Sequence, residues 1–247
     1  MEVSGNFGAA AAASSGVTDA ELIALSGAVA FDLVPSRAYY YVLKRTVDII
    51  VALVLLILLL PAMLACALAV RLESPGPVLF RQQRAGQAGR PFTLLKYRSM
   101  YAGADPTLHR EYATAFVRGT ATVQSTDTAR VYKLTDDPRV TRVGRWLRRT
   151  SLDELPQLLN VLQGTMSLVG PRPPIPYELE HYQPVHWQRL SVKPGMTGVW
   201  QVYGRSVSTF DEMVQMDLRY IREQSLLLDL KLLVKTFPIV IGGRGAH

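Results

Sequence analysis

The sequence has one cysteine, few histidines and none of the short motifs of several common catalytic centres. Cys66 is the only cysteine among 247 residues, so the chain cannot form an internal disulfide and gives no sign of an oxidising compartment. The four histidines lack the H-x-x-x-H and H-E-x-x-H spacings of zinc sites. Walker A, G-x-G-x-x-G and G-x-S-x-G sequences are also missing. These absences argue against a zinc enzyme, a P-loop protein and a nucleophile-elbow hydrolase.

Acidic side chains are in the minority. The 20 Asp and Glu residues are outnumbered by 27 Lys and Arg residues, which gives a net charge of +7 and a pI near 9.6. A basic balance suits partners that carry phosphate, namely nucleic acid, anionic lipid or phosphorylated substrates. Charge alone does not choose among them.

One long apolar run is present. The stretch from Ile49 to Val70 carries no charge and is flanked by Lys44, Arg45 and Arg71. As a helix it reaches the thickness of the hydrocarbon core of a bilayer. Pro61 removes one backbone hydrogen bond near its middle and predicts a kink. Because basic residues lie at both ends, a spanning helix and a re-entrant helix that returns to the same side both remain open.

The remaining sequence indicates a variable N-terminal segment and, after the apolar run, a mixture of helices and strands. Residues 1–38 are rich in Ala, Gly and Ser and predict a disordered or variable segment without the pattern of a secretory signal. The runs "PVLF" and "PFTLL" predict two strands joined by a turn. "HREYATAF" predicts a helix and "GTATVQSTDTAR" a loop. Residues 155–162 fit one helical face that ends at Gly164, and two more helices follow near the C-terminus, the last apolar enough to lie on a membrane.

The adjacent acids Asp153 and Glu154 in "RRTSLDELPQLLN" have two interpretations. Ser151 to Glu154 fits a capping box, or Asp153 caps the helix itself, and Pro156 is tolerated in a first turn. Alternatively, the acids do chemistry. A carboxylate can attack phosphorus as a covalent nucleophile, and two carboxylates can hold Mg²⁺ beside a diphosphate.

Four segments together resemble one family. They are "SPGPVLFRQQRAGQAGRPFTLLKYRSM", "LTDDPRVTRVGRWLRRTSLDELPQLLNVLQGTMSLVGPRPP", "KPGMTGVWQVYGRS" and "SLLLDLKLLVKTFPIVIGGRGA". In this order they are similar to the bacterial sugar transferases, the monotopic phosphoglycosyl transferases that start exopolysaccharide, capsule, O-antigen and glycan assembly. The resemblance covers about residues 40–247.

The resemblance implies a reaction and its residues. A UDP-sugar donates sugar-1-phosphate to undecaprenyl phosphate, and UMP is released. Asp153 matches the family's nucleophile, which forms a covalent phosphosugar intermediate, and Glu154 supports it. Mg²⁺ is the implied cofactor, with the same two acids as candidate ligands. The implied substrate-binding residues are Arg84, Lys96, Arg98, Arg172 of "GPRP", and Arg205.

The family's fold class is α/β-associated. It is a small mixed catalytic domain with amphipathic helices in the membrane plane and one N-terminal re-entrant membrane helix. The implied organisation is a variable segment at 1–38, the re-entrant helix at 39–71 and a cytoplasmic-face catalytic domain at 72–247, at the bacterial inner membrane. The family bends its helix at a proline often preceded by serine. Pro61 matches, whereas Leu60 replaces the serine.

A membrane-tethered binding protein without catalysis is the alternative. It explains the charge and the apolar helix but not the adjacent acids within a basic motif. Nucleic acid is not an expected partner, whereas the lipid bilayer is. The sequence leaves open the sugar, the polysaccharide pathway and the choice between a monomer and a homodimer.

Overall fold

The structure is a computed structural model that describes residues 38–105, 107–121, 124–126, 129–131, 137–204 and 208–242. Residues 1–37 of the predicted N-terminal segment and Arg205 therefore lie outside the described residues.

Helix α1 (Ala38–Glu73) contains the apolar run, with Pro61 in its interior. Among the described residues it is the one helix that is long and apolar enough to cross a membrane. Near its start, Lys44 lies 2.8 Å from the carboxylate of Asp229, and at its end the Glu73 carboxylate accepts a hydrogen bond from the Val143 amide at 3.0 Å. Both ends of α1 therefore contact the same domain. The helical backbone continues through Pro61, and the re-entrant path stays a prediction.

The predicted hairpin is confirmed. Strands β1 (Leu79–Ala85) and β2 (Pro91–Tyr97) pair antiparallel, with Leu79 opposite Tyr97 and Ala85 opposite Pro91. A 3-10 turn (Gln87–Gly89) joins them, and Gly89 adopts a φ of 73° that favours glycine. Strand β1 runs five residues beyond the predicted "PVLF", so that it carries Arg84 as well as Arg81.

Two predictions for the middle of the chain have different outcomes. The predicted helix is confirmed as α2 (Thr107–Val117). The predicted loop "GTATVQSTDTAR" is partly wrong, because it contains the paired strands β3 (Gln124–Thr126) and β4 (Ala129–Val131). Polar and β-branched residues in this stretch conceal the pairing from a pattern of alternating hydrophobicity.

The second half of the chain builds the core around a short parallel pair of strands. Strands β5 (Ser167–Val169) and β6 (Gly195–Thr197) pair parallel. The helices of this half are α3 (Arg142–Thr150), α4 (Gln157–Gln163), α5 (Pro176–Leu179), α6 (Pro184–Trp187), α7 (Phe210–Glu223) and α8 (Leu226–Gly242). The two predicted C-terminal helices are thus confirmed as α7 and α8.

The hydrophobic core joins helices from both ends of the chain. Leu158 and Val161 of α4 pack with Ile221 of α7, Leu232 of α8 and Ala52 of α1, and each of these side chains is buried. Burial of apolar surface is the main favourable contribution to folding. The first part of α1 is therefore a structural member of the domain as well as an apolar helix.

The start of α4 differs from the capping prediction. Ser151 adopts a left-handed conformation (φ 55°) as the C-cap of α3 and makes no side-chain capping bond. A 3-10 turn (Leu152–Glu154) follows, and α4 begins only after Pro156. Neither the capping box nor an Asp153 cap is therefore present. At the other end, the prediction of Gly164 as the C-cap is confirmed by its φ of 82°.

Candidate active site

The acid pair lies in the 3-10 turn between α3 and α4. The amide of Ser151 donates to the Arg148 carbonyl at 3.2 Å, and the amide of Glu154 donates to the Ser151 carbonyl at 3.2 Å. These bonds hold Ser151 at a positive φ, which non-glycine residues seldom adopt and which is often associated with functional sites. As a result the Asp153 side chain is buried, while Glu154 is half-buried.

Two cations balance the buried carboxylate. Burial and the neighbouring Glu154 raise the pKa of Asp153 to about 6, while Lys96 and Arg148 act in the opposite direction. At neutral pH the ionised form therefore predominates. Burial lowers the pKa of Lys96 to about 8, and the attraction of Asp153 opposes that shift. Arg148 is fixed by a 2.8 Å hydrogen bond from its Nε to the hydroxyl of Ser99.

Strand β1 and the "GPRPP" loop bring a second basic group to the site. Buried Arg84 donates from Nη1 to the Pro173 carbonyl at 2.8 Å and from Nη2 to the Gln82 side chain at 2.7 Å. Burial, and then the positive charge of Arg172, lower the pKa of Arg84 to about 10. Exposed Arg172 has its guanidinium carbon 5.8 Å from the ring centre of Trp200. Its side chain is therefore available to bind an anion.

The structure gives Arg98 a different environment from the other predicted cations. Its guanidinium donates to the carbonyls of Ser74 at 2.7 Å and Pro75 at 2.8 Å, and to the Ser74 hydroxyl at 3.0 Å. These groups follow the end of α1, so Arg98 holds the chain where it leaves the apolar helix. A direct contact of Arg98 with substrate stays a prediction, as does the role of Arg205.

The sequence analysis did not single out Arg148 or His109. Arg148 belongs to the "RRTSLDELPQLLN" run and precedes Asp153 closely in the sequence, which was a signal that could have identified it. The Nδ1 atom of His109 lies 2.7 Å from the Tyr177 hydroxyl. Loss of hydration and the charges of Arg84 and Arg172 lower the pKa of His109 to about 4. No local motif marks His109, because α2 and α5 meet only in the folded chain.

Buried Asn160 connects α4, the helix that follows the acid pair, to β2, the strand that carries Lys96. Its Oδ1 accepts from the Leu95 amide at 3.0 Å, and its Nδ2 donates to the Thr93 carbonyl at 2.8 Å. The side-chain amide therefore pairs with β2 much as a neighbouring strand would. Since Lys96 follows Leu95 on β2 and Asn160 lies on α4, these two bonds set the distance between the strand that carries the lysine and the helix that follows the acids.

The oxygen ligands that Asp153 and Glu154 offer fit Mg²⁺ better than a metal ion that needs three or more ligands from the protein. Among the described residues no group of three or more His, Cys, Asp or Glu side chains could enclose a metal ion. Adjacent carboxylates suit Mg²⁺, which commonly takes one or two carboxylates and completes its shell with water and substrate phosphates. Asp153 and Glu154 supply such oxygens.

The arrangement is suited to phosphoryl chemistry. An ionised, desolvated carboxylate can act as a nucleophile, and the cations of Lys96, Arg148 and Arg172 lower the cost of bringing a polyanion close to it. Planar guanidinium groups bind phosphate oxygens in pairs. The same site also lies on the domain to which both ends of α1 are attached.

Comparison with known proteins gives the family. The family described as "Bacterial sugar transferase" matches residues 39–243. The galactosyl transferase CpsE of Streptococcus agalactiae is 44% identical over 69% of this chain and 36% of its own length. The UDP-glucose:undecaprenyl-phosphate glucose-1-phosphate transferase of Xanthomonas campestris is 42% identical over 85% of this chain and 41% of its own length. The exopolysaccharide production protein ExoY of Sinorhizobium fredii is 41% identical over 83% of this chain and 88% of its own length.

The chain thus spans less than half of the first two relatives and most of the third. The family match extends from the start of the apolar helix α1 to the end of α8 and includes the acid pair, the hairpin and the "GPRPP" loop. This chain belongs to the bacterial sugar transferase family.

Proposed function

We propose that this chain is a phosphoglycosyl transferase, which transfers sugar-1-phosphate from a UDP-sugar to undecaprenyl phosphate and releases UMP. The observation that carries the proposal is the buried Asp153 carboxylate, placed beside Glu154 and within the electrostatic influence of Lys96 and Arg148. The name of the Xanthomonas campestris relative supports the donor and acceptor classes, and the name of ExoY supports a role in polysaccharide production.

The reaction uses Asp153 twice. In the first step a carboxylate oxygen of Asp153 attacks the sugar-proximal phosphorus of the UDP-sugar. The new bond is an acyl phosphate, and the bond to the bridging oxygen breaks, so that UMP leaves. In the second step an oxygen of undecaprenyl phosphate attacks the same phosphorus. The lipid-linked diphosphate forms, and the electron pair of the broken bond returns to the Asp153 carboxylate.

The surrounding residues orient the phosphates. Lys96 and Arg148 keep Asp153 ionised and face the incoming anion, while Arg172 is free to bind the diphosphate. Arg84 holds the "GPRPP" loop through the Pro173 carbonyl and so fixes the position of Arg172. Mg²⁺ bound to the oxygens of Asp153 and Glu154 would neutralise charge on the diphosphate.

The apolar helix gives the site access to the lipid acceptor. We infer that α1 is re-entrant in the bacterial inner membrane and that its flanks and the active site share the cytoplasmic face. Both ends of α1 contact the catalytic domain, whereas Ile57 and Leu58 between them are about 70% exposed in the isolated chain. A water-soluble donor and a bilayer-confined acceptor can then reach the same carboxylate.

The catalytic proposal is tested with the full chain in nanodiscs that contain undecaprenyl phosphate. A panel of UDP-sugars with Mg²⁺ is assayed for UMP release, and turnover mixtures are trapped for mass spectrometry. Asp153→Asn is expected to abolish UMP release and the phosphosugar adduct. Asp211→Asn, which changes a side chain that is 86% exposed, is the control and should remain active. Full activity of Asp153→Asn, or an adduct on another residue, would refute the assigned nucleophile.

The topology is tested by cysteine labelling. In a Cys66→Ala background, Tyr39→Cys and Leu72→Cys place thiols at positions that are 77% and 76% exposed at the two ends of α1. A membrane-impermeant thiol reagent is applied to one side of the membrane and, in a separate sample, to the other side. Both positions should be labelled only when the reagent is on the cytoplasmic side. Labelling from opposite sides would show a spanning helix instead.

A further inference from the structure

The exposed face of α3 is basic and carries a tryptophan. After Arg142, the helix carries Arg145, Trp146 and Arg149 at three, four and seven residues further along, so the four side chains share one side of the helix. All four are exposed, Trp146 at 51%. The three guanidinium groups form no ion pair with a carboxylate in the part of the chain that the structure describes. This set is called the α3 basic face below.

The opposite side of α3 is packed on the apolar helix. Leu147 is fully buried in a cluster with Met63, Cys66 and Val70 of α1. Helix α8, whose exposed side chains include Phe237, also packs against α3. Helix α3 therefore contacts both helices that expose apolar side chains, α1 and α8, while its basic face is exposed.

From this juxtaposition we propose that the α3 basic face binds the headgroups of anionic phospholipids. The proposal rests on the membrane placement of α1 given above and goes beyond the transfer reaction. A tryptophan among arginines beside an apolar surface is the composition of a segment at the membrane–water interface. Unpaired arginines at that level attract anionic headgroups through charge and bind their phosphates with planar forks.

The contact has a consequence for the active site. Helix α3 ends at Ser151, and Asp153 follows in the next turn. Headgroups bound along α3 fix the position of this helix relative to the membrane surface. Because only a short turn separates α3 from Asp153, the position of the carboxylate is fixed as well. The anionic lipids thereby set the depth at which the carboxylate meets the phosphate of a lipid acceptor.

The test uses the full chain in nanodiscs with equal amounts of phosphatidylcholine and phosphatidylglycerol. Native mass spectrometry of the released protein measures the ratio of the two retained lipids. Each arginine near an anionic surface strengthens binding by about fivefold. The triple variant R142Q/R145Q/R149Q is therefore expected to lower the ratio of retained phosphatidylglycerol to retained phosphatidylcholine by up to about 100-fold at low salt.

Two further triple variants separate the outcomes. R118Q/R219Q/R222Q removes the same charge from exposed positions on or next to α2 and on α7 and should retain phosphatidylglycerol like the unchanged chain. R142K/R145K/R149K preserves the charge and should keep most of the preference, which shows that α3 tolerates substitution. Equal ratios for R142Q/R145Q/R149Q and the unchanged chain would overturn the proposal, as would equal losses in both glutamine variants. UMP release, measured separately in detergent, reports on the proposed transferase activity and does not enter the lipid ratio.

Discussion

Removal of the Asn160 amide tests whether the position of β2 controls catalysis. In Asn160→Ala, the Leu95 amide and the Thr93 carbonyl both lose their side-chain partners, at 3.0 and 2.8 Å. An unsatisfied buried group costs about 1–3 kcal/mol. Since these two strand groups are only partly buried, the free energy of unfolding is expected to fall by about 2–4 kcal/mol.

The functional loss should exceed what unfolding explains. Without the two bonds, β2 and Lys96 are free to move relative to Asp153, and a displacement of about 1 Å at a reacting centre can lower a rate about 100-fold. UMP release is measured at a temperature at which thermal unfolding shows the variant to be folded. We expect kcat to fall by about 10- to 100-fold.

Val161→Ala is the matched control for Asn160→Ala. Val161 is fully buried on the same helix, so its truncation costs stability through lost packing and leaves both amide bonds to β2 in place. We expect near-normal kcat for the folded control. Normal kcat in folded Asn160→Ala, or equal kcat losses in the two variants, would refute a positioning role and leave Asn160 with a purely structural one.

Two further predictions concern stability. Asp229→Asn removes the charge that Lys44 contacts at 2.8 Å in a buried pair, so the free energy of unfolding should fall by about 3 kcal/mol. The double variant Asp229→Asn/Lys44→Met should recover part of the lost free energy of unfolding. If it recovers none, the broken ion pair is not the cause of the loss. Burial lowers the pKa of His186, with Asp211 opposing the shift, so the fold favours the neutral ring. The stability that the neutral His186 ring contributes is fully present above the pKa of about 6.5 that histidine has in the unfolded chain. It is lost as the pH falls from there through the lower pKa of the folded state. Thermal unfolding at pH 7 and pH 5 should show a smaller pH effect in His186→Asn than in the unchanged chain, and equal effects would contradict the assignment.

Local sequence signals predicted those elements that local chemistry determines. Turn residues between two apolar runs located the β1–β2 hairpin, and Gly164 located the end of α4. The family resemblance supplied the acid pair and most of the cations around it. The capping prediction failed because Ser151 ends α3 in a left-handed conformation, which depends on how α3 and α4 pack and not on the S-x-x-E spacing.

Contacts between distant segments could not be predicted from spacing. The bonds from the Arg98 guanidinium to the carbonyls of Ser74 and Pro75 depend on tertiary packing and have no local sequence signal. Asn160 is a polar position within an apolar helical run of the sequence, and its pairing with β2 depends on residues more than 60 positions earlier. Burial, and with it the pKa of Asp153, likewise follows from the assembled fold.

Helix α1 cannot be removed to leave an intact folded domain. Asp48 of α1 accepts the Leu168 amide of β5 at 3.0 Å, and Ala52 is fully enclosed by the core. A chain that starts after Glu73 would open that core to water and leave the β5 amide unpaired. Proteolytic removal of α1 should therefore yield an unfolded or aggregated fragment, because the first part of this helix belongs to the hydrophobic core of the domain.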